Sequence, residues 1–143
     1  MPPHPDVIEA LGRLRDAGFR VAALSNSTAE VVEAQLQYAG LRGFFEQALS
    51  ADLAKRLKPA REAYRMAAER LGVEPANLRL VATHAWDVTG ASRAGCAAAF
   101  VTRPGMVLDQ AGEEPDVVGG DLRDVADKII ARERAEFGSA AAP

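Results

Sequence analysis

The chain has 143 residues, 48% of them hydrophobic and 26% charged, with 17 Lys+Arg against 20 Asp+Glu for a net charge of −3 at pH 7. One cysteine, Cys96, allows no internal disulfide; the small acidic excess offers no phosphate-neutralising stripe, and no run approaches the ~18 apolar residues of a membrane span. A single cytoplasmic domain over 1–137 with a flexible tail at 138–143 is predicted, with neither nucleic acid nor membrane as partner.

From Pro5 to Ala17, Val7, Ile8, Leu11 and Leu14 fall at helical spacing, and Gly18 follows where a left-handed cap is needed. Arg20 to Leu24 is a short apolar run ending at Ser25-Asn26, as in a buried parallel strand. Ser27 and Glu30 are spaced as a capping box, which predicts a helix to Ala39 closed by Gly40. A second strand at Gln47–Ser50 and a helix from about Ala60 to Leu71 follow, then a strand at Leu78–Ala82. Asp87 to Gly95 fits a short helix. Ala97 to Val101 is a further strand, Val117-Val118 a last edge strand, and Asp121 to Arg134 a final helix with Leu122, Val125, Ile129 and Ile130 inward. Strands alternating with helices predict an α/β fold, a parallel sheet with helices on both faces.

In such sheets chemistry gathers outside the carboxyl ends of the strands. That rule brings Ser25, Asn26, Thr83, His84 and Asp87 to one rim. Ser25 and Asn26 precede a helix N-terminus, whose free N–H groups and positive dipole end favour an anion; a small anionic substrate is the implied partner. Lys58, fixed in direction by Pro59, aims a point charge at the same rim, where Asp87 can hold it or a water. Each residue has a plainer role open to it. Ser25 and Asn26 suit a strand end and helix cap, Lys58 a solvated surface, and His84 a structural hydrogen bond. Trp86 reads as filler between sheet and helix, and Cys96 as a small buried hydrophobe. His4, His84 and Cys96 are too scattered for a zinc site, and the glycines lack the G-x-G-x-x-G spacing of a dinucleotide turn, so no metal or cofactor is predicted.

Three motifs taken together resemble a known superfamily: Leu24-Ser25-Asn26-Ser27, Leu57-Lys58-Pro59 with Tyr64 beyond it, and Val81-Ala82-Thr83-His84-Ala85-Trp86-Asp87 running on to Gly90-Ala91. In order and spacing they are similar to motifs two, three and four of the haloacid dehalogenases, and the H-A-W-D stretch is closer to the type II 2-haloacid dehalogenases than to the phosphatases. The resemblance covers about Pro5 to Ala131. It implies a Rossmann-like core and a metal-free, two-step hydrolysis in which an aspartate displaces halide from a 2-haloacid and water cleaves the ester. It also implies roles. Ser25 and Asn26 would hold the substrate carboxylate, Lys58 would steady the nucleophile, and Tyr64 would line the pocket. Thr83 would hydrogen-bond in place of a family serine, His84 would replace an asparagine near the hydrolytic water, and Asp87 would orient Lys58 and that water. Ala82 stands where the family has a first serine, and His84 adds a group that titrates near neutral pH.

The family also opens with an apolar strand ending in D-x-x-G-T, which carries the nucleophile, and with a helical cap. No Gly-Thr pair occurs in this sequence, and its first aspartate, Asp6, lies in a helical pattern. The resemblance therefore implies an N-terminally truncated core without nucleophile strand or cap. Deleting that strand leaves the strands ending at Ser25 and at Thr83 without their shared neighbour. Three remedies are open: a separate polypeptide supplies the strand, two copies of the chain cover the gap as a homodimer, or the flanking strands close up. Activity of the isolated chain is not expected. A superfamily phosphatase, with Asp87 helping to bind Mg2+ and Ser25 the phosphate, is the alternative enzyme, and a non-catalytic truncated or binding module the alternative of another class.

Overall fold

The computed structural model describes residues 5–108, 112 and 114–137. The Pro-rich opening through His4 and the expected tail at 138–143 lie outside them. The elements run α1 (Asp6–Asp16), β1 (Ala22–Ser25), α2 (Ala29–Tyr38), β2 (Gln47–Ser50), α3 (Arg61–Leu71), β3 (Arg79–Ala82), α4 (Ala85–Arg93), β4 (Ala97–Val101), β5 (Val117–Gly119) and α5 (Leu122–Phe137). Single 3-10 turns at Arg42–Phe44, Ala51–Ala54 and Pro75–Asn77 were not expected from the apolar pattern; each is too short to show a period.

All observed strand pairings are parallel, but they form two sheets. β1 pairs with β2, and β4 lies between β3 and β5. Side chains of β4 alternate: Ala99 and Val101 pack with Ala10 and Leu14 of α1 and Val125, Ala126 and Ile129 of α5, while Ala98 and Phe100 pack with Val88 of α4. That period of two places helices on both faces. On the other sheet, Leu49 packs with Met66 and Ala67 of α3, and Leu24 joins Tyr64, Ala91 and Leu80 across to α4 and β3.

β1 and β3 do not close up; the third remedy is not the one adopted. Between them runs a cavity of about 580 Å³ which Arg20 to Leu24 and Asn77 to Thr83 line without a gap. Unbroken lining by consecutive residues means that each strand presents its backbone edge to the cavity, since side chains alone would alternate. The direction of the neighbouring hydrogen bonds gives the same answer. Val21 O accepts from Glu46 N and Leu78 O from Ala97 N, so those backbones point to β2 and β4. By alternation, the N–H and C=O groups of Ala22, Leu24, Arg79 and Val81 point into the slot.

Helix termini account for the smaller departures. α2 is capped by Thr28, whose hydroxyl accepts from Val31 N, and not by Ser27, whose N–H donates instead to Ser25 Oγ at 3.0 Å. The anticipated Ser27–Glu30 box does not form: Ser25 already engages the Ser27 amide, and the cap moves one residue on to Thr28, with Val31 unable to reciprocate. α4 starts at Ala85, two residues earlier than expected, with His84 at its N-cap. Asp87 therefore stands inside the first turn, where a carboxylate favours the helix dipole.

Asp6 fastens the start of α1 to Arg103, just past the end of β4. It is 3% exposed, receives both Arg103 terminal nitrogens at 3.1 and 3.0 Å, and accepts from Leu122 N at 2.6 Å. Burial pushes its carboxyl up, but the Arg103 and Leu122 hydrogen bonds outweigh burial and hold it below the ordinary value.

Candidate active site

The slot opens at the carboxyl ends of β1 and β3, and four of the sequence-selected residues meet there in one chain of hydrogen bonds. Asn26, just past β1, accepts from Lys58 N at 2.8 Å through Oδ1 and donates to Lys58 O at 3.2 Å through Nδ2. Lys58 Nζ donates to Asp87 Oδ2 at 2.8 Å, with the two side chains 10% and 8% exposed. Tyr64, 1% exposed on α3, donates to Asp87 Oδ1 at 2.6 Å. Both carboxylate oxygens are thus occupied, one by a cation and one by a phenol. Burial first, and then the Asp87 carboxylate, push the Tyr64 phenol far above its ordinary value, so it acts as a donor throughout the physiological range.

Close approach of α4 to the lysine loop depends on Gly90. A Cβ there would lie 2.8 Å from Pro59 Cβ, 2.8 Å from Tyr64 Oη and 2.9 Å from Pro59 O. Only glycine lets α4 approach closely enough for Asp87 to meet Lys58 and Tyr64 together.

The remaining candidates stand around this core. Lys58, Tyr64, Thr83 and Asp87 line the slot. Ser25 ends β1 half-buried, its oxygen accepting from Ser27 N and its hydroxyl hydrogen donated to no acceptor among the described residues. His84 is exposed; its Nδ1 lies 3.4 Å from Thr83 Oγ1, and its ring centroid lies 5.6 Å from that of Trp86. Trp86 is not the filler its size suggested. It is 45% exposed, and Lys58 Nζ lies 5.7 Å from its ring centroid, within cation–π range. Its place immediately before Asp87, in the first turn of a rim helix, was the signal available. Cys96 is buried, and burial raises its thiol.

Asp87 is already held on both oxygens, and among the described residues no group of three His, Cys, Asp or Glu is gathered.

The family model for haloacid dehalogenase-like hydrolases matches residues 1–95; the chain belongs to that family. It is 35% identical over 114 residues to haloacetate dehalogenase H-2 of Moraxella sp. (strain B), an alignment covering 80% of this chain and 51% of that one. It is 33% identical over 125 residues to the (S)-2-haloacid dehalogenase of Pseudomonas sp. (strain YL), covering 87% and 54% respectively. The structure of L-2-haloacid dehalogenase from Xanthobacter autotrophicus with chloropropionic acid covalently bound superposes with a TM-score of 0.83 at 28% identity, over 90% of this chain and 61% of that one. The chain spans about half the length of the curated relatives it matches.

Proposed function

We propose that this chain forms the lysine-bearing part of a hydrolytic 2-haloacid dehalogenase, and that a carboxylate-bearing segment seated as a strand in the slot between β1 and β3 completes it. The observation that carries the reading is the buried Lys58–Asp87 pair at the carboxyl mouth of that slot. A strand entering the slot would satisfy the free edges of both neighbours at about 4.8 Å from each and bring its own end to Lys58.

In the assembled site the incoming carboxylate attacks the α-carbon of the haloacid, forming a C–O bond as the carbon–halogen bond breaks and halide leaves. Lys58 stabilises the attacking carboxylate, and the Ser25 hydroxyl donates to the substrate carboxylate. Water then adds to the ester carbonyl; the 2-hydroxyacid departs, one proton is released and the carboxylate is regenerated. Asp87, fixed by Tyr64, keeps Lys58 in place and orients the water, with Thr83 and His84 at the same edge. This division of labour is nucleophilic catalysis with a separately positioned cation. The lone buried thiol suits a reducing cytoplasm, and among the described residues no helix is long and apolar enough to cross a membrane.

Halide release from chloroacetate and 2-chloropropionate tests the reading. The 143-residue chain alone is expected to release none. Joined to the part of the Pseudomonas sp. (strain YL) relative that its alignment with this chain leaves uncovered, it is expected to release halide, and Lys58→Met is expected to abolish it. Turnover by the chain alone, or joined turnover indifferent to Lys58→Met, overturns the assignment.

A further inference from the structure

The amide of Asn26 faces the backbone of a residue 32 positions away, as a strand partner does. Its carbonyl accepts from Lys58 N at 2.8 Å, and its NH2 donates to Lys58 O at 3.2 Å. The reverse orientation of the amide would set N–H against N–H and C=O against C=O, so the chemistry of Lys58 fixes which way Asn26 points. Aspartate has no N–H to donate, and serine is too short to span both groups.

The place of this contact gives it weight. Asn26 leaves β1, whose only strand partner among the described residues is β2, while Asp87 belongs to the helix after β3 in the other sheet. No backbone ladder joins the two sheets across the slot among the described residues. At its mouth they are linked by Asn26 to Lys58 and by Lys58 Nζ to Asp87 at 2.8 Å. A lysine side chain is a flexible four-carbon stem, and its ammonium is well placed only if the backbone beneath it is pinned.

We infer that Asn26 is a positioning residue for Lys58: it anchors the backbone of the lysine loop to the end of β1, so that the ammonium is aimed at Asp87 across the slot. Calling Lys58 the reaction's cation rests on the proposed function; the clamp itself does not.

The chain contains three lysines, Lys55, Lys58 and Lys128, which makes trace acetylation with acetic anhydride, quantified per residue by mass spectrometry, a clean test. In the parent, Lys58 is expected to react more slowly than exposed Lys55. Asn26→Ala is expected to raise the Lys58 rate at least about fivefold, the factor that corresponds to losing one net hydrogen bond, with Lys55 and Lys128 unchanged. Asn26→Asp, which keeps the acceptor and loses the donor, is expected to give a smaller rise confined to Lys58. If all three rates rise together in Asn26→Ala, the variant has unfolded and Asn26→Asp decides: a rise at Lys58 alone supports the clamp, and none overturns it. A folded Asn26→Ala with an unchanged Lys58 rate also overturns it. Because no substrate is used, a joined enzyme without turnover would sink the functional proposal and leave this result standing.

Discussion

Lys58 Nζ and Asp87 Oδ2 meet at 2.8 Å from positions 29 residues apart, and both side chains are at least nine-tenths buried. A pair this dry costs heavily when one partner is removed, because the other is left charged without compensation. Lys58→Met is expected to destabilise the fold by about 3 kcal/mol, whereas Lys58→Met combined with Asp87→Leu recovers much of that loss. Urea unfolding of the two single variants and the double variant measures the coupling, and strictly additive costs would show that the pair contributes nothing as a unit.

Tyr64 holds the other carboxylate oxygen at 2.6 Å. Its phenol should stay protonated while free phenols ionise near pH ~10, so alkaline titration of the folded protein gives the same phenolate absorbance step before and after Tyr64→Phe. A smaller step in the variant would mean that Tyr64 ionises in the ordinary range. The same substitution leaves Asp87 Oδ1 without its donor and is expected to cost about 1–3 kcal/mol.

Two glycines in helices should respond oppositely to alanine. Gly90→Ala drives a methyl to within 2.8 Å of Pro59 and Tyr64 and is expected to cost about 1–3 kcal/mol. Gly12, inside α1, has open space around it: a Cβ there would meet nothing within 4 Å, so Gly12→Ala is expected to gain about 0.5–1 kcal/mol through helix propensity. Thermal melts of the two variants should move in opposite directions from the parent.

Asp6 gives the fold a pH dependence. Its folded carboxyl titrates below the unfolded value of about 3.9, so its stabilisation is complete above that pH and is lost as pH falls through the folded value. At about pH 6, Asp6→Asn is expected to be about 3 kcal/mol less stable than the parent, since it leaves Arg103 unpaired. The gap should narrow once the pH drops below about 4. Chemical denaturation at both pH values checks this, and a gap that widens in acid would contradict the assignment.

The order of elements was legible because each carries a local signal: apolar runs for strands, three- and four-residue spacing for helices, and glycines at their ends. Gly18, Gly40, Gly72 and Gly95 all take positive φ, the backbone state that favours glycine. Ser25, Thr83 and Asp87 were legible as rim residues from their place after strand ends, and Lys58 from Pro59 at the entry of the following helix. What the sequence withheld was set by contacts distant along the chain. Whether Thr28 or Ser27 caps α2 depends on Ser25 taking the Ser27 amide. The side chain of Asn26 carries no mark of its engagement with Lys58. Gly90 reads as an ordinary helical glycine until Pro59 and Tyr64 are brought against it. The division into two sheets follows from the absence of a partner between β1 and β3 among the described residues, which spacing alone could not measure.

The slot reverses the usual ranking of backbone protection. Strands at the middle of a domain ordinarily hold their amide protons longest against deuterium, yet here β1 and β3 flank the middle and each offers one side of its ladder to the cavity. β4, paired on both sides, becomes the slowest-exchanging strand, while the amides of Leu24 and Val81 exchange as though they lay on the outer border of a sheet. The same bare borders are open edges of the kind to which an extended segment can add as a further strand.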